Sequence, residues 1–468
     1  MALSYQDMLT RYASPARQVC PQEIRALLLE RRIRIVVIDD DPTGIQTVHG
    51  CLFLTEPNVA HITEALQDEE PFFYLLVNSR AMTEEDARKV VRQAVEAVLE
   101  ANRTLHYNLL FISRSDSTLR GHFPAEPDTI RTVLAEQHLE PCFPLLFIPS
   151  FFEAGRMTIE GVHYMRNNEE LIPVNETEFA RDNVFGYQNA RLTEYIVEKG
   201  RGTIRTEDLM HITLTELRST TPEAIASRLQ QHAAARCISF DSLDYGDLGV
   251  LAKAILLQFT PDKQGQYGII RSSSSLPKAL SGIEEQGYVA APTKGAQGVV
   301  VVGSHVKKST EQLLSLLASP HVAGIEIDVE AILNDDPTLM QRTMQQAQTH
   351  YNAGIIPVLY TSRKEVRCND VAQRQALGIK ISQFLVEAVR SLPFHPDFLV
   401  SKGGITSHDI LTHSLAVRMA RVEGQAAAGI PTIRTDSKGP FPQMRYVIFP
   451  GNVGAVETLR EVVERLRD

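Results

Sequence analysis

The run IVVIDDDPTG, residues 35–44, carries four apolar side chains straight into three consecutive carboxylates and then a turn. A short, unbroken apolar run fits a strand buried on both faces, as in parallel sheets covered by helices. The arrangement recurs along the first half of the chain. Phe72–Val77 leads into Asn78-Ser79-Arg80, Leu109–Ile112 into SRSDSTLRGH (113–122), and Leu145–Ile148 into PSFFEAGR (149–156). Cys237–Phe240 leads into DSLDYGD, and Tyr267–Ile270 into RSSSS (271–275). Amphipathic stretches lie between these runs, and Thr83 with Asp86 reads as a capping box opening a helix to about Glu100. Ligands of such sheets bind beyond the carboxyl ends of the strands. Each polar cluster follows its strand, so all are expected on one rim.

A second alternation begins near Gln297. Val299–Val302 precedes Gly303-Ser304, Ile355–Tyr360 precedes TSR (361–363), Phe398–Val400 precedes SKGGITSHD (401–409), and Val447–Phe449 precedes PGNVG (450–454). Ser309-Thr310-Glu311-Gln312 reads as a helix start. A chain of 468 residues exceeds one ordinary core. The expected fold class is α/β, with two domains, each a mostly parallel sheet flanked by helices, and an active-site cleft between them. Their expected spans are 1–280 and 298–468, joined by a connector at 281–297.

Composition is that of an ordinary globular protein, with 43% hydrophobic and 22% charged residues. The net charge of -10 argues against nucleic acid, whose phosphates are held by clustered Lys and Arg. Cys20, Cys51, Cys142, Cys237 and Cys368 are scattered without a CxxC pair, which fits a reducing compartment and gives no metal-ligand spacing. No apolar run approaches a signal core or a membrane span, so the expectation is a cytoplasmic protein with no membrane partner. Oligomeric state, a homodimer included, stays open.

The acidic triplet has three readings. It could close a strand and cap a helix. Its carboxylates could accept hydrogen bonds from sugar hydroxyls, one acting as general base. Asp39-x-Asp41-x-Thr43 also fits the DxDxT pattern of haloacid-dehalogenase-type phosphatases, with Asp39 as nucleophile. In SRSDSTLRGH, Arg114 and Arg120 flank Asp116, Ser117 and Thr118; guanidinium groups beside hydroxyls suit a polyhydroxylated acid, though an internal ion pair in a surface loop would look the same. Arg80 and Arg156 follow neighbouring strands and could add anion contacts. In the second half, Gly403-Gly404-Ile405-Thr406, Gly303-Ser304 and Gly451-Asn452 are glycine turns after apolar runs, where backbone N–H groups could approach phosphate. Neither a GxxxxGK[ST] nor a strand-linked GxGxxG is present. His122 and His163 lack zinc spacing and read as structural or exposed.

Taken together these segments resemble the four-carbon acid sugar kinase family, whose members phosphorylate tetronic acids such as threonate, erythronate or 3-oxotetronate with ATP. Asp40-Asp41-Pro42-Thr43-Gly44 is similar to its DD-x-TG segment and Ser79-Arg80 to its SR pair. Asp116-Ser117-Thr118-Leu119-Arg120-Gly121 is similar to its DSTLRG loop, and Gly155-Arg156 with Gly161 and His163-Tyr164 to its GR…G-x-HY segment. The resemblance implies an N-terminal acid-sugar domain, a C-terminal nucleotide domain, ATP and Mg²⁺. It implies Asp40, Ser79, Arg80, Ser117, Arg120 and Arg156 around the sugar acid, Asp41 or Asp116 as the acidic residue on the reacting hydroxyl, and Ser304, Gly403, Gly404, Ile405, Thr406 and Gly451 at ATP. No metal ligand is assigned. The chain departs from the family in the nucleotide half. Ile405 stands where many members have the Asp of GGDT, and Phe449 where many have the Lys of KSGNFG; Asp409 and Lys402 are nearby candidates to compensate. The leading expectation is therefore ATP-dependent phosphorylation of a terminal hydroxyl. The alternatives are a phosphatase using Asp39 and a non-catalytic acid-sugar sensor.

Overall fold

The computed structural model describes residues 3–13, 18–304, 306–363, 371–451 and 453–468, and the chain divides into two compact units, residues 1–285 and 286–468. In the first unit, parallel strands lie in the order Leu209–Ile212, Cys237–Phe240, Leu145–Ile148, Tyr267–Ser272, Asn108–Arg114, Ile33–Asp39, Phe72–Leu76 and Leu52–Leu54. The apolar runs of the sequence are these strands. All residues of Phe72–Leu76, Asn108–Arg114, Leu145–Ile148, Cys237–Phe240 and Tyr267–Ser272 are buried, which explains why they lack polar alternation. Helices Val59–Gln67, Glu84–Asn102 and Ala125–Glu136 pack in one group, and Pro21–Glu30, Pro222–Gln231, Tyr245–Leu256 and Ser275–Ser281 in another. Thr83 caps Glu84–Asn102 by accepting from the Asp86 N–H, so its helix begins where the capping box was read.

Parallel pairing throughout puts the polar clusters on one edge. From Ile33–Asp39 the chain goes first to Leu52–Leu54 and Phe72–Leu76 on one side, then crosses to Asn108–Arg114 on the other. That reversal opens a crevice outside the carboxyl ends of Ile33–Asp39 and Asn108–Arg114. A small antiparallel sheet, of Leu3–Ser4, Glu170–Pro173, Val162–Asn167 and Arg156–Ile159, was not legible as strands. It packs on Met8, Leu171, Leu214 and Leu243.

The second unit holds the order Met419–Ala427, Ile430–Thr435, Arg445–Phe449, Phe398–Lys402, Gly298–Val302, Ile356–Thr361 and Val322–Ile327. The last five are parallel, and the first two form an antiparallel hairpin running onto Arg445–Phe449. The hairpin, whose strand Met419–Ala427 alternates polar and apolar residues, and the edge strand Val322–Ile327, most of it exposed or partly exposed, were not anticipated. The helix read from Ser309 starts at Lys307 and ends at Leu317. Val300, Val302, Val358, Phe398, Val400 and Val447 centre this core against Leu459 and Val462 of the helix Thr458–Arg467. No helix among the described residues is long and apolar enough to cross a membrane.

Gly298 faces Phe398 on the adjacent strand, and a Cβ there would lie 2.2 Å from the ring. Gly298→Ala should therefore destabilise this unit by about 1–3 kcal/mol, measured by urea unfolding.

Candidate active site

The acidic triplet of the opening stretch sits in a closed lattice of ion pairs. Arg114 stands in register beside Asp39 on the neighbouring strand. Its Nη1 donates to Asp39 Oδ1 at 3.1 Å and lies 3.6 Å from Asp40 Oδ1, while Nη2 donates to Ser274 Oγ at 3.0 Å. Arg80, from the loop after Phe72–Leu76, clasps Asp40 with Nη2 at 2.5 Å and Nε at 3.0 Å, and reaches Asp41 Oδ2 with Nη1 at 3.3 Å. Ser115 Oγ adds a bond to Asp40 Oδ2 at 2.5 Å. The turn then folds onto Asp39: a Cβ at Gly44 would fall 1.8 Å from its Oδ2. Burial pushes the Asp39 carboxyl up to about 7 against the field of Arg114, helped by Asp40 and Asp41. Asp41 goes the other way. Burial raises it, but Arg80, Arg114 and the donors of Thr43 outweigh that and hold it below the usual carboxylate range.

The DSTLRG loop is fixed by its own backbone carbonyls. His163 Nε2 donates to Ser117 O at 2.8 Å, Tyr187 Oη to Thr118 O at 2.7 Å and Tyr195 Oη to Leu119 O at 2.7 Å, while Ser115 Oγ, its one proton shared with Asp40, meets Arg120 O at 3.0 Å. Since a carbonyl only accepts, His163 carries its proton on Nε2 and takes the Thr158 hydroxyl on Nδ1, at 2.9 Å. Burial pushes its pKa down to about 4, so the ring stays neutral. Leu119 is held at φ 65° and Gly121 at φ 122°; a Cβ at Gly121 would meet Ser115 Oγ at 2.3 Å. The loop thereby presents Asp116 and Arg120 as a pair, with Arg120 Nε donating to Asp116 Oδ2 at 2.7 Å. Arg120 also lies 4.8 Å over the Phe179 ring and 3.7 Å from Asp182. Burial raises the Asp116 carboxyl, but the fields of Arg80 and Arg120 and the donors of Arg120 and Thr118 hold it well below the usual range.

Exposure separates the carboxylates. Asp39 and Asp40 are 0% and 1% exposed, Asp116 14% and Asp41 21%. Only Asp41 and Asp116 can face a ligand. Asp40, expected at the substrate, accepts from Arg80 and Ser115. Ser79 is also fully buried; its hydroxyl donates to Glu126 Oε1 at 2.5 Å, and Glu126 in turn receives Arg271 at 2.6 Å. Ser117 is 6% exposed and is held by its carbonyl. Asp39 lies beneath the Gly44 turn, without the access that a phosphatase nucleophile needs. His122 donates between the Ser79 and Met82 carbonyls, at 3.1 Å each, a structural role.

Arg156 differs from its neighbours. Arg80, Arg114, Arg120 and Arg271 each pair with a carboxylate. Among the described residues Arg156 has none: Nη1 donates to its neighbour's carbonyl, Ala154 O, and Nε is buried without a partner. Burial lowers its pKa, with Asp116 pulling up and Arg120 pushing down, which locates the guanidinium in the same electrostatic neighbourhood. Arg271 and Glu126 carried no motif and went unread, as did the tyrosines that pin the loop.

In the second unit the glycine turns converge. A Cβ at Gly303 would lie 2.3 Å from Thr406 Oγ1, and one at Gly403 (φ 116°) 3.2 Å from Ser304 Cβ. Ser309 Oγ lies 3.1 Å from Ser304 Oγ and 3.4 Å from Gly451 O, donating to the carbonyl while the Ser304 hydroxyl can donate to it. Ser304, Gly403, Gly404, Thr406 and Gly451 thus share one rim, and Ile405 extends into solvent, 76% exposed. Asn452 lies outside the described residues. Asp409 accepts from Ser382, and Lys402, in register with Phe449, points its ammonium at that ring, 4.3 Å from the centroid.

Residues 35–280 match the family described as sugar-binding N-terminal domain, and residues 299–459 the nucleotide-binding C-terminal domain. The chain belongs to the four-carbon acid sugar kinase family. This member is 23% identical over 309 residues to a D-erythronate kinase of Heliobacterium modesticaldum, covering 64% of each chain. It is 28% identical over 291 residues to a D-threonate kinase of Bordetella bronchiseptica, covering 60% of this chain and 62% of the relative. The chain thus spans somewhat under two thirds of the length of these relatives. A crystal structure of a Haemophilus influenzae protein shares the fold, with TM-score 0.64 and 17% identity over 92% of this chain and 100% of the other.

A raised carboxyl binds its proton in the folded state before the unfolded one does, so folding stability contributed by Asp39 falls as pH rises from about 4 to about 7. Asp39→Asn should flatten the stability profile across that window in chemical denaturation. Arg114→Met strands Asp39 and Asp40 and should cost roughly 3–5 kcal/mol in the same measurement at neutral pH.

Proposed function

We propose that the protein is an ATP-dependent kinase that phosphorylates a four-carbon acid sugar, threonate, erythronate or 3-oxotetronate, on its terminal 4-hydroxyl. The observation that carries this reading is Arg156, a guanidinium without a carboxylate on a rim whose other cations are all paired. A substrate carboxylate supplies the missing anion, and Arg120 lies close enough in the field to share it. Asp41 and Asp116, which keep exposed surface where Asp39 and Asp40 do not, accept hydrogen bonds from the substrate's hydroxyls. The names of the curated relatives, a D-erythronate and a D-threonate kinase, support the substrate class.

Asp116 and Asp41 are held ionised by their arginines, which makes them weak proton acceptors and firm hydrogen-bond acceptors. That suits phosphoryl transfer, whose loose transition state asks mainly for an oriented hydroxyl and neutralised charge. The glycine turns at Ser304, Gly403-Gly404 and Gly451 support the nucleotide. Mg²⁺ would ride on the nucleotide's phosphates. The chemistry it supplies there is charge neutralisation.

The test is ADP release with ATP, Mg²⁺ and a panel of tetronic acids. Release that depends on one acid, with a matching sugar phosphate, is expected. Acid binding without turnover would instead mark a sensor, and phosphate release without ATP a phosphatase. Arg156→Met should raise KM for the acid roughly 10- to 100-fold, as for loss of a charged hydrogen bond. Asp116→Asn should act chiefly on kcat.

A further inference from the structure

Among the described residues of the second unit, the buried Lys402 and the half-buried Arg363 have no ion pair. Lys402, the last residue of Phe398–Lys402, is fully buried. Its Nζ donates to Pro450 O at 2.6 Å and Gly451 O at 3.0 Å, and among the described residues the third N–H has no acceptor. Among the described residues, the charged side chain whose field reaches it is another cation, Lys308. Arg363, after Ile356–Thr361, is likewise spent on backbone: Nη1 on Ser304 O at 2.6 Å, Nη2 on Val302 O at 3.2 Å, and Nε on Thr361 O at 2.9 Å. Glu326 and Tyr360 add to its field without forming an ion pair.

Both cations grip loops of the same rim, 450–451 and 303–304, which Ser309 ties together. Burying a cation without a counter-charge costs several kcal/mol. Two carbonyls and the Phe449 ring meet the Lys402 ammonium without supplying an anion, and a neutral donor would brace a loop equally well. A bound polyanion removes the deficit. We propose that Lys402 and Arg363 form the electrostatic floor of a polyphosphate site, acting through these loops as positioning residues for the nucleotide. This rests on the kinase reading, and it goes further by naming where the positive charge comes from in a unit that lacks a P-loop lysine.

Burial, with Lys308, pushes the Lys402 ammonium down to about 7. The protonated form favours the polyanion, so ATP affinity should fall as pH rises through that value. Calorimetric titration of the full chain with ATP and Mg²⁺, inorganic tripolyphosphate, AMP and adenosine tests this. Lys402→Met should weaken ATP and tripolyphosphate tenfold or more and adenosine hardly at all, with Arg363→Met acting in the same sense. Lys402→Arg should retain ATP binding and lose the pH slope between 6 and 9, since guanidinium does not titrate there. That last comparison stands even if the methionine variant fails to fold. Equal loss of ATP and adenosine in Lys402→Met, or a slope that survives in Lys402→Arg, overturns the proposal while leaving the kinase reading intact. An unaltered protein that binds neither ATP nor tripolyphosphate overturns both.

Discussion

The pairing of Arg114 with Asp39 and Asp40 fixes everything around the first rim. Two adjacent carboxylates at the end of a buried strand repel each other and have lost most of their water. They stay in place because a guanidinium from the next strand lies between them and a second one, Arg80, clasps Asp40 from the opposite side. Ion pairs buried this way contribute little net stability, yet removing one partner is costly. Their effect is geometric. They lock the carboxyl ends of three strands into one register, so that the loops leaving those ends start from known positions.

From that base, order passes outward. Ser115 joins Asp40 to the DSTLRG loop, and the loop is then held carbonyl by carbonyl. What reaches solvent at its far side is a small set of groups, Asp41, Asp116, Arg120 and Arg156. The second rim is built on another plan. It has backbone turns in contact and cations behind them, with no carboxylate lattice among the described residues. The first rim presents paired side chains; the second presents charge and peptide groups.

Much of this was legible in the sequence because apolar runs and the polar clusters after them are local signals. A strand buried on both faces announces itself, and parallel pairing then decides which clusters meet. The DSTLRG loop and the glycine turns could be found for the same reason. Long-range contacts were not readable. Nothing near Asp40 or Ser79 in the chain says that each will be sealed behind an arginine or a glutamate contributed from far away. Tyr187, Tyr195 and His163 look like ordinary core residues, and only their hydroxyl and ring N–H contacts reveal a role at the loop. Arg271 and Glu126, 145 positions apart, form a buried pair that no spacing rule could suggest. The hairpin Met419–Thr435 escaped because its alternation of polar and apolar residues differs from the continuous runs that marked the other strands.

Four consecutive carbonyls tethered from below leave the backbone at 117–120 no freedom to reshape around a guest. A pocket with a stiff rim must choose its cargo by fit alone, and cannot rescue a poor match by bending. Preference among guests should then drift, over generations, through exchange of the few solvent-facing side chains, while the tethers and the glycine beneath them stay constant.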